Sequence, residues 1–322
     1  MNSTFSHSHP LTDEMMSAIQ HACGSVPVDS ISALSGGRSG ALLFRLTIGG
    51  ADYVLRKVDP GRPMHTVRAE QERTCMEIAA ERGIAPKVHY FSIDTGIVIT
   101  EHIDGVPLGR SEHHIGRIAQ TLRRLHTGPA FPKGLSVSIL VSKIDAYLQT
   151  EKGTSLPESL VSTVEEVACI TARFADSAPC HNDLNPTNIL EIPEAIYFLD
   201  WEWAGMSDPY IDLAQLGVFG FPMYEQRVKL LEAYLERHPS EEESARMTMA
   251  RVIALGVYSA GFSQIAESTD RVASPLSIPD LLAYLGSRRE NAAPEVVAAS
   301  LLKEMLREKE TDGYTAAKRL LS

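Results

Sequence analysis

The sequence predicts an α+β fold in two lobes: a small antiparallel β-rich N-terminal lobe over 1–102 and a larger, mainly helical lobe over 103–322. Three observations carry this. Strand-like and helix-like stretches follow one another as β-β-β-α-β-β through the N-terminal third. From Ser111 onward the apolar spacing becomes helical. The 322 residues, 44% of them hydrophobic, suffice for a well-buried core divided between two lobes.

Each element has its own signal. Residues 12–23 place Met15, Met16, Ile19 and Cys23 at helical spacing. Residues 31–34 read as a strand, followed by the loop Ser35-Gly36-Gly37-Arg38-Ser39-Gly40. In 41–48, Leu42, Phe44, Leu46 and Ile48 alternate with other residues, as in a strand with one buried face. Gly49-Gly50-Ala51-Asp52 supplies a turn, because glycine accepts positive φ. A strand over 53–58 completes a β-meander. Residues 64–82 read as a helix with Val67, Cys75, Ile78 and Ala79 on its apolar side, closed by Gly83 with Pro86 beyond it. Two strands, 88–91 and 97–101, flank an Asp94-Thr95-Gly96 turn, and the lobe boundary falls within 102–107. Beyond it Ile115, Ile118, Leu122 and Leu125 mark a helix, and short β pieces recur near Ile189 and over 196–199.

Composition narrows the function classes. The formal net charge of -11 does not attract a nucleic-acid backbone; it is read first as a source of solubility, with collection of a cationic small molecule as the alternative. None of the four cysteines forms a CxxC pair, which argues against structural zinc. The first ten residues lack the basic start and apolar stretch of a signal peptide, and no apolar run is long enough to span a membrane. The expectation is a cytoplasmic protein with no membrane partner.

Phosphoryl transfer to a hydroxyl needs a carboxylate to orient the hydroxyl and accept its proton. It also needs ligands for magnesium on the nucleotide phosphates, and a cation to meet those phosphates. The stretch His181-Asn182-Asp183-Leu184-Asn185-Pro186-Thr187-Asn188 fits HxDxxxxN, a catalytic-loop pattern in which Asp183 is the base and Asn188 a metal ligand. Asparagine suits that role because its carbonyl oxygen is hard and neutral. Asp200 ends the apolar run Ile196-Tyr197-Phe198-Leu199, so a strand delivers a second carboxylate that can bind magnesium. Singly, a strand-end Asp caps a turn and a lone His is a satisfied core residue. The joint pattern of His181, Asp183, Asn188 and Asp200 points to phosphoryl transfer.

These segments, with Leu199-Asp200-Trp201-Glu202-Trp203-Ala204-Gly205 and Asp208-Pro209-Tyr210-Ile211-Asp212-Leu213-Ala214, resemble the aminoglycoside phosphotransferase and choline kinase superfamily, closest to its bacterial choline/ethanolamine kinase branch. The resemblance runs over about 34–216. It implies a protein-kinase-like two-lobe fold with ATP and Mg2+ between the lobes. It also implies that the loop with Gly36, Gly37 and Ser39 covers the phosphates, and that Arg56 meets them, with Lys57 as the alternative on the opposite strand face. Glu72 then pairs with the cation, and backbone groups of Glu101 and Ile103 meet adenine. Asp212 resembles the family's structural brace of the catalytic loop. Glu202, beside the metal Asp, is the candidate to face a cationic substrate.

The implied activity is ATP-dependent phosphorylation of a choline- or ethanolamine-like amino alcohol. The alternatives are an antibiotic kinase on the same fold and, in another class, a nucleotide-binding pseudokinase. A Trp-rich choline box is absent, which leaves Tyr224, Tyr234, Tyr258, Phe262 and Tyr284 as candidate cage or helix-core aromatics.

Overall fold

The structure, a computed structural model, describes residues 11–34, 41–61, 65–109, 111–174, 178–266, 274–288 and 291–322. The glycine loop with Gly36, Gly37 and Ser39 lies outside the described residues. In chain order the N-terminal elements are α1 (Asp13–Cys23), β1 (Val28–Ala33), β2 (Leu42–Ile48), β3 (Ala51–Lys57), α2 (His65–Glu81), β4 (Val88–Ser92), β5 (Ile97–Glu101) and β6 (Val106–Pro107). Then come α3 (Ile115–His126), α4 (Val137–Lys152), α5 (Glu158–Thr171), β7 (Ala178–Cys180), β8 (Ile189–Glu191), β9 (Ile196–Phe198) and β10 (Gly205–Ser207). Six helices follow: α6 (Pro209–Phe219), α7 (Tyr224–Leu235), α8 (Glu241–Ile265), α9 (Ile278–Arg288), α10 (Pro294–Lys309) and α11 (Asp312–Leu321).

The chain divides into two compact units, Met1–Val106 with Leu190–Glu202, and Pro107–Ile189 with Trp203–Ser322. Asp200, which the sequence reading places in the C-terminal lobe, therefore packs with the first unit.

The first unit is built on a five-stranded antiparallel sheet of order β1-β2-β3-β5-β4. The simple meander ends at β3: the chain leaves through α2, and the β4–β5 hairpin returns with β5, not β4, beside β3. The β2–β3 turn is tighter than expected. Gly49 and Gly50 take φ of 59° and 80°, which suits a two-residue hairpin turn. Ala51 and Asp52 already belong to β3, opposite Ile48 and Thr47. At the β4–β5 turn only glycine fits, because a Cβ on Gly96 would meet the Val58 carbonyl oxygen at 2.3 Å.

One sheet face buries Phe44, Leu46, Ile48, Leu55, Ile97 and Ile99 against Met15, Ala18 and Ile19 of α1. Lys57 shares that face with Leu55, and its Nζ stands 2.6 Å from Glu14 of α1. Arg56 is thereby left to the other face.

In the second unit, β7 and β10 form a two-stranded antiparallel ribbon. Helix α8 is its centre, with α4, α5, α6, α10 and α11 packed around it. Gly256 permits the approach of two of them, since a Cβ there would stand 2.5 Å from Val164 of α5 and 3.1 Å from the Met305 sulfur of α10. The start of α8 is a capping box: the Ser240 hydroxyl accepts from the Glu243 N–H and the Glu243 carboxylate from the Ser240 N–H. No helix among the described residues is long and apolar enough to cross a membrane.

Candidate active site

Each unit carries part of the predicted constellation. In the second unit, β7 runs out at Cys180 and the 181–188 loop begins. Asn182 takes φ of 64°, a left-handed conformation that Asn tolerates better than most residues. Two side chains one turn apart on α6 hold the loop in this shape. Asp212, fully buried, accepts from the His181 N–H (2.9 Å), the Asn182 N–H (2.8 Å) and His126 Nε2 (3.1 Å). Gln215 accepts from the Leu184 N–H at 3.0 Å and donates to the Asn182 carbonyl at 2.6 Å.

Within the loop, Asn185 caps the short 3-10 turn that carries Asn188, accepting from the Thr187 N–H at 3.0 Å. The Asn188 amide then donates to Asp183 twice, to Oδ2 at 2.9 Å and to the backbone carbonyl at 3.0 Å. With its NH2 turned on Asp183, Asn188 presents its carbonyl oxygen elsewhere, as a hard cation ligand requires.

His181 is corrected. It is 0% exposed and its Nδ1 accepts from the Asp183 N–H at 3.3 Å. A ring so enclosed cannot touch a substrate; it shapes the loop from inside.

Sequence reasoning missed Gln215 and His126. A glutamine three residues beyond Asp212 on an otherwise apolar helix was a usable signal for Gln215. His126 had none, because its partners Asp212 and Tyr234 Oη (2.9 Å from Nδ1) are distant in sequence. His126, Cys180 and Asp212 bring ligand-type atoms within 4.8 Å of one another. The Asp212 oxygens are already occupied by three N–H groups. Burial, with Asp212 and Asp208 nearby, pushes the Cys180 thiol well above its ordinary pKa. The cluster is a hydrogen-bonded brace, not a metal centre.

In the first unit, Arg56 joins two carboxylates. Its Nη2 is 2.5 Å from Glu72 of α2, and its Nη1 is 3.5 Å from Asp200. Burial works against the guanidinium charge, but Glu72 and Asp200, with Glu202 also contributing, raise its pKa above the ordinary value. Lys57, turned to α1, has no part in this cluster.

Asp200 follows β9 with φ of 62°, and Trp201 anchors the turn from the core, 1% exposed and donating to the Phe198 carbonyl at 3.0 Å. Asn182, Asp200 and Glu236 are the non-glycine residues with positive φ among those described. That two of the three lie in the candidate segments fits strain held where a side chain must be aimed.

Glu202, the candidate to face a cationic substrate, is partly exposed. Its charge acts on Arg56 and, more strongly than Glu72 or Asp200, on Arg68. It therefore helps to balance arginines of its own unit.

At the end of β5, the His102 N–H donates to the Asp52 carbonyl at 3.0 Å. Tyr53 and Glu101 are therefore a non-hydrogen-bonded pair of the β3–β5 ladder, and the backbone groups of Glu101 point away from β3. The Glu101 N–H is taken by the Lys87 carbonyl at 2.9 Å. Among the aromatics, the Tyr234 and Tyr284 hydroxyls bond inside the fold, to His126 and to the Ala293 N–H, and Tyr224 is exposed.

The second unit thus holds a carboxylate–asparagine loop fixed by α6, and the first unit an arginine shared by two carboxylates. The family model described as phosphotransferase enzyme family matches residues 30–247, more than half of the chain. The chain belongs to the phosphotransferase enzyme family. It is a small-molecule kinase with a kinase-like fold.

A LicA homolog of Mycoplasma capricolum subsp. capricolum is 25% identical over 178 residues, 54% of this chain and 71% of that protein. The structure of a choline/ethanolamine kinase family protein from Mesorhizobium loti superposes with a TM-score of 0.68 at 21% identity, covering 95% of this chain and 98% of that one. Choline kinase LicA from Streptococcus pneumoniae gives 0.66 at 19% identity, covering 90% and 99%.

Proposed function

We propose that this phosphotransferase moves the γ-phosphoryl group of ATP to the hydroxyl of a small cationic amino alcohol, of the choline or ethanolamine type. The observation that carries the reading is the Asp183–Asn188 pair, in a loop whose backbone is bonded to Asp212 and Gln215. Asp183 orients the acceptor hydroxyl and takes its proton. Asn188 and Asp200 each offer magnesium a hard oxygen, the donor type it selects. Bound there, the ion would neutralise charge on the transferring phosphate.

Arg56, steadied by Glu72, meets the phosphates, and the loop with Gly36, Gly37 and Ser39 covers them. Adenine bonds the Glu101 carbonyl and the Ile103 N–H, since the Glu101 N–H is already engaged in the sheet. His181 shapes the loop without contacting substrate. The amino-alcohol class is supported by the similarity to choline and ethanolamine kinases and by the net charge of -11.

The test is magnesium-dependent ADP release over a panel of amino alcohols, aminoglycosides and macrolides. Turnover of choline, ethanolamine or a close analogue is expected. Turnover of an antibiotic alone would move the substrate class, and no turnover of any alcohol would end the kinase assignment of the site. In the same assay Asp183→Asn should retain nucleotide binding and lose at least a hundredfold in kcat; a wild-type rate would remove the base.

A further inference from the structure

Tyr258 lies in α8, its ring against that of Phe219 with centroids 5.1 Å apart. Its hydroxyl oxygen is buried and closes no hydrogen bond among the described residues. Asp183 is within its reach and acts on the phenol both through its charge and as a hydrogen-bond acceptor, but no bond of normal geometry closes between them. Burial first, and the Asp183 carboxylate second, hold the phenol well above its ordinary pKa, so it keeps its proton. A buried hydroxyl without a well-formed hydrogen bond is penalised, and phenylalanine would fill the same space without that penalty. The oxygen is explained if a ligand beside Asp183 supplies the partner.

We propose that Tyr258 is a further substrate-binding residue, whose Oη–H donates to the hydroxyl oxygen of the phosphoryl acceptor. This rests on Asp183 being the base. The acceptor oxygen carries one hydrogen and two lone pairs. Its hydrogen goes to Asp183, one lone pair accepts from Tyr258, and the other is left to attack phosphorus. Two contacts fix the direction of that lone pair, where one would let the hydroxyl swing. The transferred proton ends on Asp183, and no bond to Tyr258 forms or breaks.

Tyr258→Phe removes one oxygen and keeps the ring on Phe219. With choline or ethanolamine as acceptor, kcat/KM for the alcohol should fall about tenfold, the worth of one hydrogen bond, while KM for ATP moves less than about twofold. The melting temperature of the ligand-free variant should match or exceed that of the wild type, because the lost hydroxyl closed no well-formed hydrogen bond. An unchanged acceptor kcat/KM overturns the proposal. So does a ligand-free melting temperature lower by several degrees, since the partner would then lie within the protein. A wild type that phosphorylates no alcohol sinks the proposed function and this proposal with it; an active wild type with an indifferent variant sinks the proposal alone.

Discussion

Asp212→Asn is the sharpest test of how the 181–188 loop is held. The substitution preserves shape and removes charge and one acceptor atom. In the native chain Oδ2 serves the His181 N–H and His126, and Oδ1 serves the Asn182 N–H. An asparagine keeps the better-used side by placing its carbonyl at Oδ2, which turns its NH2 toward the Asn182 N–H. One hydrogen bond to a charged acceptor is lost, worth about 1.5–3 kcal/mol. The facing donors leave a group unsatisfied for about 1–3 kcal/mol more. The left-handed backbone of Asn182 also loses one of the two α6 side chains that hold it.

The total is about 3–5 kcal/mol, in line with breaking a buried network. It should lower the melting temperature by on the order of 10 °C. Displacement of Asp183 should lower kcat by about a hundredfold. Differential scanning calorimetry and ADP release read the two effects. A melting temperature within about 2 °C of wild type, together with normal turnover, would refute the claim that Asp212 fixes the loop.

Gly256→Ala should destabilise the protein by about 1–3 kcal/mol, because overpacking between Val164 and Met305 outweighs the gain in helix propensity; chemical denaturation reads it, and a more stable variant would contradict the close packing around α8. Glu243→Gln concerns pH. Hydrogen bonding to Arg237 first, and to Ser240, holds the Glu243 carboxyl at about 2, below its ordinary 4.5. Its contribution is therefore complete above about pH 5 and is lost as the pH falls through the folded value near 2. With Arg237 largely exposed, screening reduces it to about 1 kcal/mol or less. The stability difference between wild type and variant should be flat above about pH 5 and close toward pH 2; a gap that widens on acidification would count against the pairing.

Much of the constellation was legible because its parts are local. The HxDxxxxN spacing, the Asp at the end of β9 and the alternation along β3 each depend on a few neighbouring residues. That alternation separates Arg56, which pairs with Glu72 and Asp200, from Lys57, which pairs with Glu14. What escaped depends on distant contact. The place of β5 beside β3 follows from the path through α2, not from any strand's own pattern. His181 looked chemical because its neighbours are, and only its burial shows it facing inward. The charges of Arg56 and Arg68 that Glu202 acts on come from β3 and α2, far from it in the chain. Tyr258 could not be told from a core aromatic, because the carboxylate it faces is contributed by a loop far away in the chain.

The position of α8 decides where this chain can be cut. The family match stops at 247, six residues past the Glu241 that starts α8, and the helix runs on to Ile265. A chain ended at that limit would keep the whole 181–188 loop. It would lose the stretch of α8 that carries Arg251 and Tyr258, and also α10, whose Glu304 and Glu308 flank Arg251 at 3.0 Å. The apolar sides of α4, α5 and α6 would then face water, an open invitation to aggregation. The matched segment is thus not a portable unit: anyone grafting or shuffling this kinase has to carry the helices beyond 247 along with it.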